Sequence, residues 1–336
     1  MSYLFHEVIR YVARICWDYP ALIDLEDKVH TYGELYKRSN RLANALLSLG
    51  LKKGDRVGIF SVDCKEYVEY LWACAKTGII GMFSAIGPVY PDEWIEKLIN
   101  KSDAKAFFVH ENYLERFSKI RPKLRSVEKI IVIGSKGSVP RDMYHYETLI
   151  NEHPDSEPKL AWELKEDECA FTLFSGGTTG MPKIIEHRYI SMPWTYLTVI
   201  PRVIIENLLP KILNAPRKLF EEFCEILNSP FDELFLEAIT DLSVRESLIS
   251  MLRHMGELHR SPLVKVLPYA FRGKLRVVIN PLFTSWGFVF QVLCNTLGGC
   301  IVLSKGLLNV SDYLYRLSRT PDRYLHWQHY RLNEEV

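Results

Sequence analysis

Residues 173–187 read LFSGGTTGMPKIIEH, with three glycines, two threonines, a serine and a lysine placed directly after an apolar run. Glycine admits positive φ and offers no Cβ to obstruct approach, so consecutive backbone N–H groups in such a loop can converge on phosphate oxygens. Gly176, Gly177 and Gly180 supply that bare backbone, and Ser175, Thr178 and Thr179 add hydroxyl donors. Lys183 adds a point charge suited to a polyphosphate, with Pro182 stiffening the chain just before it. The chemistry this permits is anion binding; the alternative is a surface turn that happens to be glycine-rich. A Walker loop needs Gly-Lys-Ser/Thr and a dinucleotide fingerprint needs G-x-G-x-x-G; neither spacing is present, so P-loop hydrolysis and nicotinamide dehydrogenation do not fit.

Composition narrows the partners. The 42 Lys and Arg nearly cancel the 41 Asp and Glu, so no charge excess draws the chain onto nucleic acid or an anionic membrane. The cysteines at 16, 64, 74, 169, 224, 294 and 300 form no CxxC pair and no Cys/His cluster at metal-ligand spacing. They read as reduced core thiols, and no residue is assigned to a metal site. The opening MSYLFHEVIRYVARICWDYP lacks a basic segment followed by an apolar one, and no window approaches about 18 uninterrupted apolar residues. The expectation is a cytoplasmic chain, neither exported nor membrane-spanning.

The elements that must position the loop follow from periodicity. Phe5, Val8, Ile9, Val12 and Ile15 recur at helical spacing. ALIDLEDKVHTY reads as a short hairpin, and Thr31 with Glu34 forms a capping box for a helix that runs to Gly50. RVGIF, IIGMFSAI, KAFFV, KIIVIG and ECAFTLF then read as strands, with helices over KEYVEYLWACAKTG, PDEWIEKLINKSD and about 112–121 between them. That alternation indicates an α/β fold with a doubly wound, mostly parallel sheet. The glycine loop leaves the strand ECAFTLF, at the edge where open α/β sheets bind ligands. From Trp194 to Leu267 the pattern is helical, broken by prolines at 201, 210, 216 and 230, and strand texture returns over KLRVVINPLFTSWGFVFQVLCNTLGGCIVLSKG. Three parts are expected: 1–192 with the phosphate loop, 193–270 as a helical insertion, and 271–336.

SGGTTGMPK resembles the phosphate signature of the adenylate-forming superfamily of acyl-CoA synthetases, luciferases and peptide-synthetase adenylation domains, usually Ser/Thr-Gly-Thr/Ser-Thr-Gly-x-Pro-Lys. The likeness extends upstream from HTYGELYKRSN through DAKAFFV, over most of the superfamily's N-terminal subdomain. PKIIEH is similar to the medium-chain and aromatic acid-CoA ligase form Pro-Lys-Met-x-Glu-His, and NPLFTSWG resembles Pro-Leu-Phe-His-x-x-Gly of the acyl site. The resemblance implies that Ser175, Gly176, Gly177, Thr178, Thr179, Gly180 and Lys183 hold the β and γ phosphates of ATP while a carboxylic acid attacks the α-phosphorus, with Lys183 the catalytic cation. It implies Mg²⁺ and CoA as further cofactors, and 271–336 as the start of the acyl-binding subdomain. Phe283, Trp286 and Gly287 fall where the family lines its acyl pocket; Trp286 reads equally as a gate or as a packed core ring. His187 is placed near the acyl or CoA site, or serves as a structural hydrogen-bonder.

The pattern also departs from the family. Thr284 stands where many members carry histidine, and KKGDR at 52–56 precedes an early strand and is not the ribose-binding Thr-Gly-Asp. No Tyr-Gly-x-Thr-Glu segment for adenine and Mg²⁺ occurs within 1–336. Two classes stay open: the N-terminal part of an AMP-forming acid-CoA ligase that needs a complementing chain, or a non-catalytic interaction module that retains the nucleotide loop.

Overall fold

The computed structural model describes residues 4–61, 63–83, 90–174, 182–191 and 285–305, with shorter pieces at 268–269, 272–273, 275–279, 282, 311–312 and 315–316. The expected helical insertion at 193–270, the loop residues 175–181, Phe283 and Thr284 lie outside the described residues, apart from Tyr269 and Pro268.

The chain opens with α1 (Phe5–Ile15), whose Phe5, Ile9, Val12 and Ala13 are buried at the expected spacing. The hairpin β1 (Pro20–Ile23) and β2 (Val29–Thr31) follows. Its turn is organised by Asp24, which accepts from the backbone N–H of Glu26 and of Lys28, each at 2.9 Å, and pairs with His30 at 2.8 Å. Helix α2 (Tyr32–Ser48) starts on the predicted capping box: Glu34 N–H donates to Thr31 Oγ1 at 3.2 Å, and Thr31 N–H donates to Glu34 Oε2 at 2.9 Å.

The remaining elements alternate as read. They are β3 (Arg56–Phe60), α3 (Lys65–Thr77), β4 (Ile80–Phe83), α4 (Asp92–Ser102), β5 (Ala106–His110), α5 (Leu114–Ile120), β6 (Lys129–Ile133) and β8 (Cys169–Phe174). Between β6 and β8 lie β7 (Tyr144–His145) and α6 (Tyr146–Asn151), and β9 (Ile184–Arg188) follows the glycine loop. One sheet has the order β7-β6-β5-β3-β4-β8-β9, parallel throughout except for the antiparallel pair β8/β9. Alternation along its strands divides the core in two. Ile59, Phe83, Phe108, Ile131 and Phe171 face α1, α2 and α3, whereas Phe60, Met82, Phe107, Ile130 and Phe174 face α4 and α5. Helices on both faces of a mostly parallel sheet make this the doubly wound α/β arrangement. Among the described residues no helix is long and apolar enough to cross a membrane.

The stretch expected to be strand over 274–306 is corrected. It divides into β10 (Arg276–Ile279), the helix α7 (Ser285–Thr296) and β11 (Cys300–Leu303). SWGFVFQVLCNT is apolar almost all round, so it carries no polar period to separate a buried helix from a buried strand. A second, unexpected sheet forms in the order β10-β11-β1-β2, with β11 parallel to both β10 and β1. Leu282, Phe288, Val292, Cys294, Ile301 and Leu303 therefore share one core with the N-terminal elements. Side-chain bonds join these parts as well, among them Tyr32 OH donating to the Gly299 carbonyl at 2.7 Å and Trp72 Nε1 donating to Asn295 Oδ1 at 3.1 Å.

Gly78 ends α3 in the left-handed region at φ +79°, and a Cβ there would stand 2.6 Å from Leu164 Cδ2. Gly50, after α2, has φ +83° with nothing within 4 Å of a Cβ. Gly50→Ala should cost about 1–2 kcal/mol, the left-handed penalty alone, and Gly78→Ala should cost measurably more because the clash adds to it. Urea denaturation of both variants checks this, and equal losses would show that Leu164 yields without cost.

Candidate functional site

Strands β3 and β4 are neighbours, but their connections leave on opposite faces: α3 packs on one core and α4 on the other. The crevice beyond their carboxyl ends is thus the topological switch point, the position at which such sheets take ligands. Three features meet there. Asp63 follows β3, Phe83 ends β4, and Phe174 ends β8 at the start of the glycine loop. The strands on either side of the loop are paired at that end, Phe174 in register with Ile184.

Lys183 is exposed at the foot of that loop, beside the buried Pro182. His187 lies three residues beyond Ile184 on β9, in register with Phe171 and about 10 Å from the loop end of the hairpin at the usual strand rise. Its imidazole is half-buried, and burial lowers its pKa, so at neutral pH it is a neutral hydrogen-bonding ring. The structure thereby sets Lys183 at the ligand edge and His187 back from it. Gly287 is buried in the first turn of α7, where the backbone of Trp286 also lies. The next residue, Phe288, packs against Phe83 with ring centroids 4.8 Å apart and against Phe171 at 5.4 Å. Helix α7 is therefore seated on β4 and on β8, the strand from which the glycine loop departs.

One site residue was not singled out by its sequence. Asp63 is only 7 % exposed, and its Oδ1 accepts the Leu282 N–H at 2.7 Å. Burial pushes its carboxyl up to about 7, against the opposing pull of that N–H. An aspartate between a strand and a helix reads as an ordinary turn residue, and its partner is remote in the chain, so no local signal marks it. Among the described residues no group of three or more His, Cys, Asp and Glu side chains is arranged to hold a metal ion.

Asp63 makes a pH prediction. A carboxyl near 3.8 when unfolded and near 7 when folded resists ionisation in the fold, so the native state loses stability as pH rises from about 4 to about 7 and levels off above. Asp63→Asn cannot ionise and keeps an acceptor oxygen. It should gain on the wild type through that window, by on the order of 2–4 kcal/mol at pH 8. Denaturation curves at pH 4.5, 6, 7 and 8 test this; a stability difference independent of pH would refute it.

Comparison with known proteins agrees with this geometry. The family model described as AMP-binding enzyme matches residues 9–208. The acetyl-coenzyme A synthetase of Methanothrix thermoacetophila is 32 % identical over 178 residues, which is 49 % of this chain and 26 % of that protein. The 4-coumarate–CoA ligase 3 of Arabidopsis thaliana is 26 % identical over 174 residues, 51 % of this chain and 30 % of its own length. The matched stretch thus spans about a quarter to a third of these relatives. Among solved structures, the anthranilate CoA ligase AuaEII in complex with anthranoyl-AMP superposes with a TM-score of 0.65 at 19 % identity, covering 93 % of this chain and 48 % of that one. The N-terminal domain of FACL13 from Mycobacterium tuberculosis gives 0.62 at 14 % identity, covering 94 % and 60 %. These structural likenesses establish the shared fold. With a family model matched over more than half of its length, and with acyl-CoA synthetases and CoA ligases as its relatives, the chain belongs to the family of AMP-binding enzymes.

Proposed function

We propose that this chain carries the triphosphate-binding side, and the beginning of the acid-binding side, of an AMP-forming acid-CoA ligase. The observation that supports the reading is that β8, the strand from which SGGTTGMPK departs, lies next to β4 of the switch point, with α7 seated on both strands. Ser175, Thr178, Thr179, the three glycines and the exposed Lys183 have the donor chemistry to hold a polyphosphate with Mg²⁺ as counter-ion. ATP supplies the α-phosphorus that a carboxylate attacks, and CoA is the acceptor of the activated acyl group. The chain's own contribution is to neutralise and orient the departing pyrophosphate, an effect of electrostatics and alignment. His187, neutral and set back from the edge, fits a hydrogen-bonding role toward the acid or CoA better than a charged one. Trp286 and Gly287, at the start of α7, and Phe283 before it are proposed as acid-side residues. The reading assigns no residue of 1–336 to the adenine or the ribose.

The proposal separates the nucleotide into parts. Pyrophosphate with Mg²⁺ should stabilise the chain about as well as MgATP, whereas adenosine should not stabilise it. At about a hundredfold over Kd, the gain is roughly 2.7 kcal/mol, a melting shift of several degrees. Gly177→Val should abolish the shift without unfolding the protein, because a branched side chain resists positive φ and crowds the converging N–H groups. Lys183→Ala should weaken pyrophosphate binding while leaving the melting temperature of the free protein nearly unchanged. Stabilisation by adenosine equal to that by ATP would remove the loop as the binding element. No response to pyrophosphate would favour the reading as a non-catalytic relative.

A further inference from the structure

The bond between Asp63 and Leu282 joins two parts of the chain that sequence patterns treat separately. Asp63 closes β3 at the switch point, and Leu282 belongs to the NPLFTSWG motif that leads into α7. Leu282 is held twice: its side chain is fully buried in the core, and its backbone N–H donates to the Asp63 carboxylate. Among the described residues no basic side chain forms an ion pair with Asp63, so the interaction that this buried carboxylate is shown to make is directed at that one backbone group. A buried donor left without its acceptor is destabilising, so the pairing of the Leu282 N–H with Asp63 Oδ1 holds that amide in place whether or not the carboxyl is ionised. The neighbouring fixed point is Phe288, one turn into α7, wedged against Phe83 and Phe171. Between these two anchors lie the residues assigned above to the acid side.

We propose that Asp63 is a positioning residue for the acid substrate: by holding the Leu282 amide it sets the start of α7, and hence Trp286 and Gly287, relative to β8, the strand from which the glycine loop departs. This rests on the ligase reading above, and it adds a residue that touches neither the acid nor the phosphates. Its role is separable from that of the loop, because the loop hangs from β8 and β9 and Asp63 from β3. Loss of the tether should therefore disturb the acid and spare pyrophosphate.

The test compares the full 336-residue wild type with Asp63→Ala and Asp63→Asn. Hydrogen–deuterium exchange follows the peptide that contains Leu282, and calorimetry measures binding of pyrophosphate with Mg²⁺ and, separately, of octanoate and benzoate. Asp63→Ala should expose the Leu282 amide to exchange and weaken whichever acid binds by about tenfold or more, with pyrophosphate affinity unchanged. Asp63→Asn, which keeps the acceptor, should restore both the protection and the acid affinity, which a general packing defect would not allow. The proposal is overturned if Leu282 stays protected in Asp63→Ala, if protection is lost while acid affinity holds, if pyrophosphate affinity falls in step with the acid, or if neither acid binds the wild type. Failure of wild-type pyrophosphate binding strikes instead at the ligase reading, and the exchange of the Leu282 peptide still decides whether the tether exists.

Discussion

Helix α3 has no solvent face from Tyr67 to Thr77, and the arrangement around it follows from that constraint. A helix buried all round must find partners for each polar atom it carries, since an unpaired buried charge costs several kcal/mol. Glu69 is met by Arg38 Nε at 2.6 Å and by the Tyr146 hydroxyl at 2.5 Å. Lys76 donates to Ser39 Oγ at 2.6 Å and Asn40 Oδ1 at 2.7 Å, and lies 3.6 Å from the centre of the Tyr36 ring. Burial drives its pKa well down, with Glu157 pulling the other way. Trp72 stacks on Tyr32 and donates to Asn295. The polar atoms of one helix thus dictate where α2, α6 and α7 stand, while the apolar atoms around them dictate only that something packs there.

The same helix joins the two strands of the switch point. It begins directly after Asp63 and Cys64, and Gly78 turns it into β4. Whatever fixes α3 also fixes the spacing between the carboxylate at the end of β3 and the aromatic ring at the end of β4 on which α7 sits. Stability and site geometry are therefore set by the same contacts, and a substitution at Glu69 or Lys76, remote from any ligand, acts on both.

What could be read from the sequence was what depends on neighbours along the chain. The capping box at Thr31 and Glu34, the left-handed stop at Gly78 and the glycine loop each express their chemistry within a few residues, and the strands of the doubly wound sheet announce themselves as short apolar runs. The parts that escaped depend on distant partners or on a missing period. Leu22 pairs with Ile301 across most of the chain, so β1 gave no hint that it lies inside a second sheet. Helix α7 has too few polar residues to show a helical repeat, and β9 became a strand only because β8 offers it an antiparallel edge. Asp63 looked like any residue entering a helix until Leu282 was found beside it.

The second sheet also has a history in time. Strand β1 emerges from the ribosome early and β11 much later, yet β1 lies between β2 and β11 in the finished sheet. At about 5–20 residues per second, the hairpin of β1 and β2 waits for tens of seconds with one edge unpaired. An open apolar edge of that kind invites wrong pairing, within the nascent chain or with a neighbour. The order of synthesis therefore leaves the β1 edge open for longer than any other strand edge that becomes paired in that sheet.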